Sequence, residues 1–358
     1  MNKNERLFTR ARVVRVYNHA RGQRAILSRH VHPLLARFTD RHWLPVAYAQ
    51  CGWLFGPHVD IVLRAHHGHP DFAEELADEL RRIPLPEADF DEAGYPRSAA
   101  QLGRIEQVPP PYLPIRPHGS VEVLESPGAH WPAPLEEARD AILTRFTAAA
   151  AEERAIDALA LRERIATVMV ALAASTPVGL ALGSMSYRSH SEAFFAASAG
   201  HGTRVHFGRR YETDRELFAS IVDRQLSSGV PDIPEWLSGI DYGWGALNSL
   251  VSAGVLNADV LASLSRGQGG EPVTEFHRTF ADSGLLNEPA PWFTVYRCLL
   301  NFLYSALPLL DVSPLERYYC CFAISEAIDA AFGSTWKQRL DDIRPDMDTT
   351  SSDRLGSI

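Results

Sequence analysis

The chain has 358 residues, 46% of them apolar and 22% charged, with a formal net charge of −9. Those values describe a folded globular protein with material for one large core or two ordinary ones. They exclude a disordered chain, and the acidic balance argues against a general nucleic-acid binder.

The charge is unevenly spread. Residues 1–37 hold Lys3, Arg6, Arg10, Arg12, Arg15, Arg21, Arg24, Arg29 and Arg37 against the single acid Glu5, a formal +8. Such an arm points to an acidic partner. Residues 11–17 alternate like a short strand. Residues 42–50 and 58–66 read as two more strands, flanking Cys51–Pro57, whose glycines and proline suit a hairpin with a wide turn. An acidic amphipathic helix is expected over 70–83, opened by Pro70 and closed by Pro84. Residues 84–119, rich in Pro, Gly and acids, read as a long loop, and 120–125 as a strand.

From Pro134 the texture becomes helical. Residues 135–150 and 152–174 are strong helix formers stopped by Thr176-Pro177. Further helices are expected near 211–227, 239–264, 271–284, 291–306, 313–332 and 334–343, punctuated by glycine and proline. The fold class is therefore α+β, with a strand-rich N-terminal third packed on a helical C-terminal two-thirds. The expected divisions are 1–130, 131–345 and a flexible tail at 346–358. No apolar run approaches the roughly 18–20 residues that cross a bilayer. Residues 1–30 lack the apolar core of a signal peptide. A cytoplasmic protein with no membrane partner is expected.

The four cysteines, Cys51, Cys298, Cys320 and Cys321, contain no C-x-x-C pair and suggest neither a disulfide framework nor a zinc knuckle. His66-His67-Gly68-His69-Pro70-Asp71 superficially resembles the metal loop of metallo-β-lactamase-like hydrolases, but Phe72 stands where another histidine belongs. A solvent-facing histidine turn is the plainer reading. His190-x-Glu192 lacks the downstream Pro-Cys-x-x-Cys of a zinc deaminase. There is no phosphate-binding loop, dinucleotide fingerprint or nucleophile elbow.

The densest polar stretch is Ser184-Met-Ser-Tyr-Arg-Ser-His-Ser-Glu192, which runs straight into Ala193-Phe194-Phe195. Half-buried polar groups need partners, and ligand sites set a few convergent polar groups on apolar walls. A helix N-terminus capped by Ser184 or Ser186 is the structural alternative. Further on, Trp292–Arg297 leads into Cys298–Tyr304, with Arg297 and Asn301 on one helical face, and Glu316-Arg-Tyr-Tyr319 opens another helix.

Three blocks together carry a family resemblance: Trp53–Val59 with the strand to Arg64, Ser186–Phe194, and Leu299–Tyr304. Over roughly residues 40 to 340 the chain resembles the stand-alone glutamate-elimination domains of split lantibiotic dehydratases, also called thiopeptide-type bacteriocin biosynthesis proteins. It departs from them at Asp60, where those domains alternate arginines, and at Arg297, where they carry a histidine. Leu307–Leu310 and Glu316–Tyr319 look more like the sister branch, the pyridine synthases of thiopeptide biosynthesis. That resemblance implies a formal [4+2] aza-cycloaddition between two dehydroalanines of one peptide. The product is a pyridine-type ring closing a macrocycle, with water and leader peptide lost.

The implied partner is a dehydrated, azole-bearing precursor peptide with an acidic leader, and no metal or other cofactor is called for. The residues expected to move protons are Tyr187, Ser189, His190, Tyr296 and Tyr318. Those expected to position substrate are His58, Arg64, Ser186, Arg188 and Arg297, and Arg10, Arg12 and Arg15 are expected to hold the leader. The alternatives are elimination of glutamate from glutamylated Ser or Thr, favoured if His58 and Arg64 line a pocket with His190, and a non-catalytic leader-binding partner, favoured if 184–192 is closed off.

Overall fold

Four strands pair into one antiparallel sheet of order β2-β3-β1-β4: β1 (Arg12–Tyr17), β2 (Val46–Gly52), β3 (His58–Arg64) and β4 (Val121–Glu125). The computed structural model describes residues 10–42, 46–66, 71–106, 108–125, 131–153, 157–198, 201–229, 231–257, 259–261, 274–283 and 290–342. The tail at 346–358 and His67–Pro70 of the histidine loop lie outside the described residues. Helices account for most of the rest, so the fold is α+β. The chain divides into two units. The first comprises Met1–Arg154, Ser238–Leu261 and Arg297–Val312, and the second Ala155–Leu237, Ala262–Tyr296 and Ser313–Ile358.

In the first unit the hairpin β2–β3 turns through Trp53–Pro57. Phe55 at φ 63° and Gly56 at φ 118° reverse the chain, and the Gly56 N–H donates to the Trp53 carbonyl at 3.0 Å. Val13, Val14, Val16 and Tyr17 are all buried. Helix α2 (Ala73–Arg81) packs on β1 and β4, and helix α4 (Ala133–Glu152) on β2.

Two helices here were not expected from the sequence. Residues 24–42 form α1, with a π-helical turn at Leu27–Val31, in what reads as a basic arm. Tyr95–Glu106 forms α3 inside the expected loop. The Asp91 carboxylate accepts from the Gly94 N–H at 2.9 Å beside its start, and burial of Tyr95 and Ala99 outweighs the local proline and glycine.

The second unit is helical: α5 (Ala158–Ala174), α6 (Gly179–Gly183), α7 (Met185–Ala197), α8 (His201–Ser228), α10 (Glu275–Asp282) and α12 (Pro314–Phe332), with α9 (Pro234–Ser252) and α11 (Pro291–Ala306) each contributing their first residues. Local sequence explains several boundaries. Asp157 caps α5 by accepting from the Leu159 and Ala160 N–H groups, and Ser313 with Pro314 caps α12, which Gly333 ends at φ 59°. Helix α12 packs on α7 and α8. Phe194, Phe195, Phe207, Phe322 and Tyr319 interleave there, with ring centroids 5.4–6.2 Å apart along the chain of contacts.

Among the described residues, Pro291–Leu310 is long and apolar enough to cross a membrane, at mean hydropathy 1.3, although no such run stands out on inspection of the sequence. Its most apolar window is 72% buried inside the protein, as a core helix requires.

Candidate functional site

Helix α7 carries the polar block, and its two faces do different work. Tyr187 and Tyr296 are fully buried. The Tyr187 hydroxyl donates to the Met169 carbonyl at 2.6 Å, and the Tyr296 hydroxyl to the Gly183 carbonyl at 2.8 Å. Burial raises both phenols above their ordinary range, so both keep their protons. The Ser186 hydroxyl hydrogen-bonds with Tyr296. The two tyrosines expected to exchange protons with substrate are thus held inside, pinning the start of α7.

Arg188 has a similar fate. It is 5% exposed and donates to Glu326 at 2.5 Å and Asp329 at 2.9 Å. Expected as a substrate-positioning group, it ties α7 to α12. Tyr318 is half-buried, its ring stacked on Phe194 at 4.4 Å and covered by the Arg317 guanidinium.

The other face of α7 stays open. Ser186, Ser189, His190 and Ala193 recur at helical spacing and are all half-exposed. On that face the Ser189 hydroxyl hydrogen-bonds with His277 Nε2 at 3.1 Å, and His277 Nδ1 with the Thr274 hydroxyl at 2.7 Å. Thr274 is also the N-cap of α10, its hydroxyl accepting from the His277 N–H at 3.4 Å. The imidazole is therefore held at both nitrogens. Burial lowers its pKa below the ordinary 6.5, against the nearby charge of Glu192, so the ring is neutral at neutral pH. Glu192 is itself paired with Arg204 at 2.5 Å. A hydroxyl, a neutral imidazole and a second hydroxyl in series can accept a proton at one end and release one at the other. His277 escaped the sequence reading. The capping pattern Thr274-x-x-His277 marks a helix start, but nothing local points from it to Ser189.

The remaining expected residues belong to the first unit. His58 is 2% exposed, its Nδ1 2.9 Å from the Gly56 carbonyl and its ring edge-on to Tyr17. Burial lowers its pKa, with Asp60 acting in the opposite sense. Arg64 is 4% exposed and pairs with Asp140, which also accepts from Arg139 at 2.6 Å and from the Tyr48 hydroxyl at 3.1 Å. Both serve the interior.

Arg15 grips Asp60, its cross-strand neighbour, through two bonds of 2.7 and 2.8 Å. Burial works against the Arg15 charge, but the hydrogen bonds and charge of Asp60 outweigh it and raise its pKa. Arg12 pairs with Asp71 at 2.8 Å, while Arg10 is exposed. Arg297 is half-buried, and burial lowers its pKa.

Asp71, the carboxylate of the histidine loop, also caps the chain at Ala73 at 3.0 Å. Among the described residues no group of three metal-ligating side chains comes together. Burial pushes the Cys51 and Cys298 thiols up to about 12, which leaves them unreactive.

No family model matches the sequence, and no curated protein matches it either. Solved structures do resemble it. The pyridine synthase TbtD from thiomuracin biosynthesis superposes with a TM-score of 0.67 at 21% identity, over 91% of this chain and 99% of that one. TsrL superposes at 0.64 with 18% identity, over 93% and 98%. These likenesses run the length of both chains and establish that the fold is the one those proteins share.

Proposed function

We propose that this protein matures a ribosomally made peptide by joining two dehydroalanines in a formal [4+2] aza-cycloaddition. The fold shared end to end with a pyridine synthase supports the reading. The observation that carries the chemistry is the Ser189–His277–Thr274 chain on the open face of α7.

The reaction is redox-neutral. The amide preceding one dehydroalanine moves its N–H proton to its own oxygen, giving an imidic acid conjugated as a 2-azadiene. Two carbon–carbon bonds then form to the second alkene, leaving a carbinol in a six-membered ring. Departure of that hydroxyl as water, and of the leader as its amide with one further proton, leaves the aromatic ring. Each step moves protons between sites on one substrate. Ser189 receives the amide proton, and His277, neutral and held at both nitrogens, relays it and returns one to the departing hydroxyl. Positioning two alkenes of one chain supplies the remainder of the acceleration. His190, one residue along the same half-exposed region, is the second proton-transfer candidate.

Nothing favours glutamate elimination, since Arg64 and His58 are spent inside the first unit. A non-catalytic role would leave the Ser189–His277–Thr274 chain on a half-exposed face without a use.

The test is mass spectrometry on a leader-bearing peptide with two dehydroalanines. The native protein should release the leader and a cyclic product one water lighter. Ser189→Ala and His277→Ala should each slow the reaction by about 10²-fold or more while melting near the native temperature. Unchanged rates in both variants would remove the relay from the mechanism. Loss of glutamate from a glutamylated peptide, with no cyclisation, would replace the reading by elimination.

A further inference from the structure

We propose that Glu192 and Arg204 are positioning residues for His277: the carboxylate steadies the imidazolium formed when the ring takes the Ser189 proton, and the guanidinium tempers that carboxylate. Their use in catalysis rests on the preceding reading, whereas their hold on the ring does not.

The hydrogen bonds around His277 show why the ring needs a counter-charge. The Thr274 hydroxyl accepts the His277 backbone N–H at 3.4 Å and lies 2.7 Å from Nδ1, while Ser189 meets Nε2 at 3.1 Å. A proton moved from Ser189 to Nε2 makes the ring a cation. A threonine hydroxyl is too weak a base to carry that charge onward, so the ring holds it until the proton is returned. A cation in a half-buried site is costly without an anion beside it.

Glu192 supplies the anion. It follows Ser189 by three positions on α7, so the two are neighbours on the helix surface where α7 meets α10. Its side chain is 14% exposed. Its charge favours the protonated ring, against the burial that disfavours it. The other charges on these elements have separate partners or face water. Glu275 pairs with Lys337 at 3.1 Å, Arg188 is taken up by Glu326 and Asp329, and Arg278 is exposed. His190 is the other titratable group on that turn of α7.

Arg204 comes from α8 and is held by two residues of α7. It donates to Glu192 at 2.5 Å, and its guanidinium lies 4.4 Å from the centre of the buried Phe195 ring. Glu192 and Phe195 are three apart, so one turn of α7 fixes both contacts. With Arg204 in place the carboxylate does not overcome burial, and the imidazole is neutral at rest. Without Arg204 the same carboxylate would draw a proton onto the resting ring, and a ring already protonated cannot take the one from Ser189.

The experiment is an NMR titration of the histidine Cε1–H signals in the full chain, with the His277 signal identified by its loss in His277→Asn. Arg204→Gln should raise the His277 midpoint, and Glu192→Gln should lower it. Arg204→Lys, which returns the charge, should restore the native midpoint. In a Glu192→Gln background the rise caused by Arg204→Gln should shrink, because the guanidinium acts through the carboxylate. Arg215→Gln, an exposed arginine paired with Glu212 farther along α8, should leave the midpoint unchanged. With the dehydroalanine peptide, the acidic limb of kcat/KM should move in the same direction as the midpoint in each variant. Glu192→Gln should also slow cyclisation by about tenfold.

Unmoved midpoints in the two glutamine variants, or an equal rise in both backgrounds, would overturn the proposal. If Arg204→Gln does not fold, the isosteric Glu192→Gln decides alone, and a midpoint that fails to fall ends the assignment. The two readings fail separately. Midpoints that move as expected in a protein that never cyclises a dehydroalanine peptide keep the positioning pair and lose the reaction. Cyclisation by a protein whose midpoints stay put keeps the reaction and loses the pair.

Discussion

Arg64 illustrates how a buried charge settles its own role. A guanidinium 4% exposed against a carboxylate at 0% has no route to a substrate, and its partner cannot be left alone. Replacing it by methionine keeps the volume but leaves Asp140 with Arg139 and Tyr48 as its remaining charged and hydroxyl partners. Breaking a buried pair from one side costs ~3–5 kcal/mol, and Arg64→Met should fall in that range, because Arg139 still faces Asp140 while the buried Glu136, 3.7 Å from Arg64, loses that cation. Urea denaturation of the variant measures this. A loss under about 1 kcal/mol would mean that Arg64 is not held as described and could serve a ligand. At Ser189 and His277 the logic runs the other way, since both are half-exposed and what they share is a proton path rather than a paired charge.

At the scale of elements, the open face of α7 depends on a close approach just before it. Gly183 ends α6 where an added methyl would run into the Ala173 carbonyl oxygen at the end of α5, and backbone cannot give way as a flexible side chain could. Its own carbonyl receives the Tyr296 hydroxyl. Gly183→Ala should therefore push α6 off α5, loosen the Tyr296 pin and displace Ser189 from His277. We expect a stability loss of about 1–3 kcal/mol together with a loss of cyclisation rate beyond what stability explains. Gly208→Ala, where a methyl meets nothing within 4 Å in the middle of α8, should keep the rate and if anything stabilise. If both variants retain full rate, the close approach does not govern the site.

Across the whole molecule, His19, His58 and His277 all have pKa values lowered from 6.5, in each case first by burial. In the unfolded chain they take up protons near 6.5, and in the folded protein only at lower pH. The folded state thus has its full share of this stability above 6.5 and loses it as the pH falls through the lowered values. The melting temperature should be level from pH 8 to 7 and decline between about pH 6.5 and 5. A melting temperature that rises on acidification in that window would contradict the lowered pKa values of these rings.

What the sequence determines by itself is what neighbouring residues decide. The β2–β3 hairpin, the helix at 313–332 and the run of helices after Pro134 are legible because turn chemistry and periodicity act within a few residues. The polar block at 184–192 was visible as a feature, and the arm at 1–37 as a charge. Their roles were not, because these depend on partners far along the chain: Ser189 meets His277 88 residues on, Arg64 meets Asp140 76 residues on, and Arg188 meets Asp329 141 residues on. Only tertiary structure decides which hydroxyl faces a carbonyl in the core and which faces outward. The free energy of burying a polar group is set by whatever the fold brings beside it. By that rule Tyr187 and Tyr296 became pins, Arg15 became a cross-strand pair with Asp60 and Arg12 a partner of Asp71, and Ser189 came to share a proton path with a histidine its own neighbourhood gives no sign of.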